Sequence, residues 1–409
     1  MAEIVTIPDK IKTSDIPDSE LNTIGKFSKK VIHHNAGPPT AADDTGLGYA
    51  AGSIWVDSTN GDVYSCTAST AEDATWINME GDDVNPPFVL QGTNSGWTAG
   101  GTADFVSPGV GGLNFITQWA FASDIGSGTD WGDLVTSKLT GANTGSARST
   151  TEAFVIAGYS PHGGGFVDTI SKYTFASPGN ATDAGEFIGH AVQDSASAPD
   201  GTNTFVMGGT GPPPGGGGQV NQTTVTKLSM TSPYPQSDNG ELSAARYGLQ
   251  GASDTSFAYS SGGAQPSNVD IIERFPFAAT SGTFSDVGEL TTASYQMGVC
   301  SGPTHALIGG GRPPTWSSQL DRYAYVSSGN GADVGETSPN LGHMAGSNGP
   351  AYGYFVGGNI PGASPTGANT TNATSRMAWS ATSGGSTDCG EIGGANHAVG
   401  VTGAMGSEN

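Results

Sequence analysis

A six-residue pattern built on Asp-x-Gly-acid occurs six times in this chain, and it leaves few folds open. Its copies are Thr129-Asp130-Trp131-Gly132-Asp133-Leu134, Thr182-Asp183-Ala184-Gly185-Glu186-Phe187 and Ser237-Asp238-Asn239-Gly240-Glu241-Leu242. Three more follow: Ser285-Asp286-Val287-Gly288-Glu289-Leu290, Ala332-Asp333-Val334-Gly335-Glu336-Thr337 and Thr387-Asp388-Cys389-Gly390-Glu391-Ile392. The glycines stand 53, 55, 48, 47 and 55 residues apart. Self-similarity at such a period marks a repeat architecture, in which each unit buries its apolar face only against its neighbours.

Each copy closes a longer unit. Upstream lies a short apolar run ending in glycines, as in Phe205-Val206-Met207-Gly208-Gly209, Ala306-Leu307-Ile308-Gly309-Gly310 and Phe355-Val356-Gly357-Gly358. After a loop of variable length comes an alternating segment such as Thr169-Ile170-Ser171-Lys172-Tyr173-Thr174-Phe175, and then the Asp-x-Gly-acid motif, which reads as a turn. Period-2 alternation bounded by Gly, Pro, Ser and Asn is the signal of strands, and no stretch keeps helical spacing. The chain is therefore expected to be all-β. Glycine, 65 of 409 residues, would suggest low complexity if it were scattered. Here it falls at fixed strand ends, where positive φ or close backbone approach explains it.

Six such units from Phe88 onward predict a six-bladed β-propeller over residues 88–409. The C-terminal stretch Asn396-His397-Ala398-Val399-Gly400-Val401-Thr402-Gly403 matches the interior segment Ser294-Tyr295-Gln296-Met297-Gly298-Val299-Cys300-Ser301. It is expected to supply the innermost strand of the first blade and so hide the edges of the ring. Val89-Leu90-Gln91-Gly92 is the competing source of that strand.

Residues 1–35 differ in kind. Five of the 14 basic residues lie in the first thirty positions, and apolar residues are sparse. The segment reads as an extended arm, and Ile4, Ile7, Ile11 and Ile16 suit docking on a partner better than solvation. Residues 36–85 predict a small β-hairpin module, with Asn60-Gly61 as its turn. Trp55, Tyr64 and Trp76 are expected to form its core, a sugar-stacking platform being the lesser alternative.

The formal charge is −23, which argues against nucleic-acid partners. Twelve of the 37 acids belong to the six repeats, so much of that charge accompanies the fold. Cys66, Cys300 and Cys389 are odd in number and lack C-x-x-C spacing, which predicts buried thiols rather than disulfides or zinc. The N-terminus lacks the apolar core of a signal peptide and no run of about 18 apolar residues occurs, so no membrane insertion is expected.

The Gly-Gly strand ends and the period of roughly fifty residues resemble kelch repeats. More narrowly, Phe-Val-x-Gly-Gly, Lys-Tyr-x-Phe-Ala and Thr-Asp-x-Gly-Glu-Leu resemble the kelch-like repeats of tail-fibre and other virion proteins of marine phages that infect cyanobacteria. The stretch from Gly52-Ser53-Ile54-Trp55-Val56-Asp57 to Thr75-Trp76 is similar to short modules near phage fibre N-termini. The resemblance implies a virion protein of a cyanophage, made in the host cytoplasm. Its arm would dock on other tail proteins, with oligomerisation through the N-terminal region, and its propeller would meet host cell-surface polysaccharide. A purely architectural or decorating virion protein is the alternative, and a glycan-modifying enzyme a third reading.

Chemistry is sparse in the pattern. Lys172, Lys227, Arg274, Arg322 and Arg376 precede Glu186, Glu241, Glu289, Glu336 and Glu391 by 14 or 15 residues. This spacing predicts cross-strand ion pairs, each worth ~0.2–1 kcal/mol, rather than a cationic ring for an anion. The six repeat aspartates are expected to fold back on their own backbone, since the calcium loop D-x-[DN]-x-[DN]-G is absent. H-E-x-x-H, Walker A and G-x-S-x-G are missing too, so neither enzyme activity nor a cofactor is expected. What remains is the set of loops after the glycine-ended strands, which share one face. Phe105, Tyr159, His162, Phe166, Arg312 and Trp316 on these loops are the candidate receptor-binding residues.

Overall fold

The computed structural model describes residues 32–35, 37–40, 43, 49–57, 63–70, 73–78 and most of 92–407. Within the last stretch, 102–112, 139–144, 161–164, 189–191, 213–217, 313–316, 326–328, 339–343, 360–369 and 393–403 lie outside the description. So do Ile4, Ile7, Ile11 and Ile16 of the expected docking arm. The chain divides into two compact units, Met1–Pro87 and Phe88–Asn409.

In the first unit Ile32–Asn35, Ile54–Asp57, Val63–Thr70 and Asp73–Asn78 form a four-stranded sheet in that order. The first pair is parallel and the others antiparallel. The module thus begins before residue 36, because Ile32–Asn35 leaves the expected arm to cover the edge of Ile54–Asp57. Tyr49, Trp55, Tyr64, Cys66 and Trp76 are its buried core. The two indoles are satisfied by backbone, Trp55 Nε1 donating to Gly37 O at 2.9 Å and Trp76 Nε1 to Asp43 O at 3.1 Å. Burial removes these rings from any stacking platform.

The second unit is a six-bladed β-propeller. Blade 1 takes its inner strand from the C-terminus, Ala404–Ser407, followed outward by Ser95–Ala99, Leu113–Ala120 and Thr129–Lys138. The other blades follow the chain from inner to outer strand. Blade 2 is Gly145–Arg148, Glu152–Ser160, Gly165–Thr174 and Thr182–Glu186, and blade 3 is Ala196–Pro199, Asn203–Met207, Thr224–Ser229 and Gln236–Glu241. Blade 4 is Gln250–Ser253, Phe257–Ser261, Ile271–Pro276 and Ser285–Glu289. Blade 5 is Gly298–Ser301, His305–Gly309, Gln319–Ala324 and Ala332–Glu336, and blade 6 is Ala345–Asn348, Tyr352–Asn359, Thr370–Ala378 and Thr387–Glu391. Each inner strand touches the next, and that of blade 6 touches that of blade 1. The core is distributed accordingly. Six apolar clusters, each drawn from two adjacent blades, fill the six wedges between sheets.

Closure by the C-terminus holds, with Ala404 opposite Ala99 and Ser407 opposite Gly96. The closing strand lies just past the expected segment 396–403. Of the competing segment only Gly92 is described, and its N–H donates to Asn348 O of blade 6 at 2.7 Å.

The recurring motif is the outer strand itself, not a turn before the next element. In all six copies the Asp Oδ1 accepts the N–H of the glycine two residues on, at 2.8–3.3 Å. The ladder slips there by one residue, a bulge, and the glycine takes φ between +106° and +155°. The bulge turns the residue between Asp and Gly toward the neighbouring blade, and Trp131, Asn239, Val334 and Cys389 are buried there. Asp-x-Gly-acid, which reads as a turn, here bends a strand.

In five of the six blades the following blade then clasps the bulge with its loop between third and fourth strands, whereas that of blade 2 has open space beside Gly185 and is held by Gln236 of blade 3, whose Nε2 donates to Glu186 O at 2.7 Å. Gly179 and Ala181 donate to Trp131 O and Asp133 O, and Gly329 and Gly331 to Val287 O and Glu289 O, all at 2.7 Å. Gly385 N reaches Val334 O at 3.0 Å, and Ile125 N of blade 1 reaches Cys389 O of blade 6 at 2.8 Å. A Cβ on Gly132, Gly240, Gly288 or Gly335 would stand 2.3–2.4 Å from a backbone atom of the clasping loop. Glycine is required there for both φ and clearance.

This bulge also overturns the expected ion pairs. Lys172, Lys227, Arg274, Arg322 and Arg376 stand opposite Thr182, Ser237, Ser285, Ala332 and Thr387 at the start of the outer strand. Glu186, Glu241, Glu289, Glu336 and Glu391 lie beyond the bulge, opposite Thr169, Thr224, Ile271, Gln319 and Ala373. At ~3.3 Å per residue the charges are ~10 Å apart along the hairpin. The bases turn the other way, over the start of the second strand. Arg274 and Arg376 lie over Phe257 and Tyr352, each 4.2 Å from the ring centroid. Lys227 lies 5.9 Å over Phe205, and Lys172 pairs with Glu152 at 2.7 Å. Arg322 donates to His305 Nδ1 at 3.2 Å and to Ala381 O of the next blade at 3.3 Å. Their role is structural, with other partners than those expected.

Candidate functional site

Loop lengths distinguish the two faces of the disc. Between first and second strands, blades 2 to 6 each use three residues, and between third and fourth strands all six blades use six to eight. Between second and third strands the lengths run 13, 4, 16, 9, 9 and 10 in blades 1 to 6. By strand order, these variable loops share their face with the crossovers that enter each next blade. The two sets are stitched together by bridges from Gln193 to Thr210 and from Tyr247 to Ala264.

Of the six residues singled out on this face, Phe105, His162 and Trp316 lie outside the described residues. Tyr159 and Phe166 are half-buried and pack edge to face, 5.4 Å between centroids, because they are opposite one another in one hairpin. Arg312 is exposed, and its guanidinium carbon lies 5.8 Å from the Tyr295 ring centroid.

Around Arg312 the structure assembles a group that the sequence reading passed over. Crossovers enter the inner strands of blades 3, 4 and 5 through Asp194, Gly248 and Gln296, at φ of 56°, 66° and 55°. They are chained across the channel mouth, Gly248 N donating to Asp194 O at 2.8 Å and Gln296 N to Gly248 O at 2.7 Å. Gly248 has no side chain, so Gln296 reaches over it and donates Nε2 to Asp194 Oδ1 at 3.5 Å. Both side chains are more than nine-tenths buried. Nearer solvent, Tyr247 and Tyr295 are half-buried and meet at 5.7 Å and 72°. Backbone ties hold the rim, with Arg312 N on Tyr295 O at 2.9 Å and Asn268 Nδ2 on Arg312 O at 2.6 Å.

The electrostatics follow from burial. Burial pushes the Asp194 carboxyl up to about 7, against the pull of the Gln296 amide. Tyr247 is raised by burial first, then by Tyr295 and Asp194, while Arg312 lowers it, so all four groups share one neighbourhood. Gln296 Oε1, Gln250 Nε2, Ser195 Oγ and Ser294 Oγ are buried along these crossovers with no protein partner. Unpaired buried polar atoms are costly, and in native structures they commonly mark a place for water or a ligand. Among the described residues no cluster of three His, Cys, Asp or Glu could hold a metal ion. The three thiols are free and buried, as expected.

A pH dependence follows. Because folding raises the Asp194 pKa from 3.8, its protonated form stabilises the fold fully below pH 4, and that contribution is lost as pH rises through about 7. His305, pushed down to about 4 chiefly by burial and then by Arg322, acts oppositely, losing stability as pH falls from 6.5. Asp194→Asn removes the first effect and keeps the second. Its thermal unfolding is expected to show the wild type gaining a few kcal/mol relative to the variant on going from pH 7 to pH 4. A constant difference across that range would refute the assignment.

No protein-family profile and no curated protein matches this chain. Among solved structures it is similar to one described as the structure of YjhT, at 12% identity and a TM-score of 0.50. The match covers 61% of this chain and 84% of that one. At that identity the likeness is one of fold.

Proposed function

We propose that the protein is a structural protein of a phage virion, of the tail-fibre type. Its N-terminal segment docks it on other tail proteins, and its propeller presents the variable-loop face to polysaccharide on the host surface. The reading is of a binding protein rather than an enzyme. The observation that supports it most is the contrast between faces: connections of three or six to eight residues on one, of 4 to 16 on the other. A closed ring with a constant frame and one variable face suits recognition of a surface that differs between hosts. The resemblance of the repeat motifs to those of kelch-like virion proteins supports the phage setting.

The test uses the full-length protein. It is expected in purified particles by mass spectrometry, and the free protein should bind intact host cells and compete with particle adsorption. Periodate oxidation of the cell surface should abolish both effects. Protein that is present in particles but binds no cells would favour a decorating role. Absence from particles would end the virion reading.

A further inference from the structure

The channel mouth on the variable-loop face gathers polar groups whose hydrogen-bonding capacity exceeds what they use on one another. Gln296 presents an amide carbonyl with no partner, next to the Asp194 carboxyl and over nine-tenths buried. Tyr247 and Tyr295, both partly exposed, stand beside it, and Arg312 and Asn268 complete the rim. We propose that this mouth, formed by the crossovers into blades 3, 4 and 5, binds one neutral sugar ring.

The chemistry selects that ligand class. Planar amide and carboxyl groups can each accept a hydroxyl hydrogen, and the amide can also donate, which matches the donor-acceptor character of a sugar hydroxyl. Two tyrosine rings offer apolar faces for the C–H side of a pyranose while their hydroxyls remain wet. A metal cation fits less well, since it wants several oxygens of net negative charge. Here a single carboxyl is countered by Arg312, whose charge is felt at Tyr247 together with that of Asp194. An anion would meet Asp194 at the floor. Ordered water alone would satisfy Gln296 but leaves the paired tyrosines without a task.

Gly248 supports the assignment from the backbone side. A Cβ there would lie 3.0 Å from the Tyr295 ring and 3.3 Å from Gln296 Cγ and N, so glycine lets Tyr295 and Gln296 pack directly against this crossover. Its left-handed φ is shared by Asp194 and Gln296, which adopt it at a cost that glycine would avoid. Strain kept at two equivalent positions, both carrying hydrogen-bonding side chains into the mouth, is characteristic of a binding site.

This inference rests on the glycan reading above, and the experiment separates the two. Saturation-transfer NMR on the full-length protein would use the methyl glycosides of glucose, galactose, mannose and N-acetylglucosamine as probes. At least one is expected to give a signal that falls tenfold or more in Gln296→Gly and in Tyr295→Ala. Gln296→Gly relaxes the backbone and repeats the residue found at Gly248, so it should fold, and its melting curve verifies this. An undiminished signal in folded Gln296→Gly and Tyr295→Ala overturns the site while the glycan reading stands. No signal from any of the four glycosides overturns the neutral-sugar assignment, and the cell-binding assay then decides the glycan reading independently. A signal that appears only with added calcium also overturns it, in favour of a cation at the mouth.

Discussion

A chain lacking residues 404–409 is expected to lose at least ~10 °C in melting temperature, or to aggregate on expression. The deletion removes Ala404–Ser407, the inner strand of blade 1, and strips one of the two ladder partners from Ser95–Ala99. It also removes the element that touches the inner strands of blades 2 and 6, so the ring becomes an open arc. Backbone hydrogen bonds lost without replacement cost ~1 kcal/mol each, and the bared strand is a template for pairing with another molecule. Trp97, wholly buried in that strand within the cluster between blades 1 and 2, anchors apolar surface beside the new edge. Calorimetry and size-exclusion chromatography read the outcome. A monomer with an unchanged transition would mean that residues before Gly92 close the ring instead.

The second large effect concerns Arg246 and Glu273, an ion pair with neither side chain exposed. Arg246, on the crossover from blade 3, also donates Nη1 to Gly262 O at 2.9 Å and Nη2 to Ser260 Oγ at 3.3 Å. Glu273 Oε2 accepts the Ser243 N–H of the same crossover at 3.3 Å. The pair therefore pins one crossover to the blade it enters. Burial pulls the Arg246 pKa down, and Glu273 holds the guanidinium charged against it. Removing one partner strands the other charge, so Glu273→Ala is expected to cost about 3–5 kcal/mol in urea unfolding. The double variant Arg246→Met with Glu273→Leu should recover most of that loss, because two desolvated charges give way to apolar packing. A single variant costing under ~1 kcal/mol would show that the pair is not isolated from water. The same strand position in blade 5 shows a lighter solution, Asp321 accepting the Thr291 N–H at 2.8 Å without an arginine.

The blades were legible because glycine-ended strands and the Asp-x-Gly-acid motif repeat at a nearly constant period. The back-folded aspartates and closure by the C-terminus followed from the same comparison of units. The outer strand was not legible, because Asp-x-Gly-acid signals a turn equally well, and only the pairing register distinguishes a bulge from a reversal. That one error carried into the ion pairs. A constant interval of 14 or 15 residues fixes two residues on one hairpin but not their alignment once an extra residue enters the ladder. The channel mouth was missed for another reason. Asp194 and Gln296 sit in connectors of ordinary composition, and left-handed φ at a residue with a side chain leaves no trace in sequence. Aligning the crossovers, where Asp194, Gly248 and Gln296 alternate at one position, would have exposed it.

The clasp between blades has a direction, since five of the six bulges are gripped by a loop of the blade that follows around the ring. During synthesis, then, a blade so gripped waits for its successor to complete it, and the nascent chain zips from the ribosome-distal end toward the point of exit. Two seams break this order. Blade 6 is gripped by Ile125, already made, and blade 1 lacks its inner strand until Ala404–Ser407 emerge. A chain that stops before Ala404 thus lacks the strand that makes the propeller a ring.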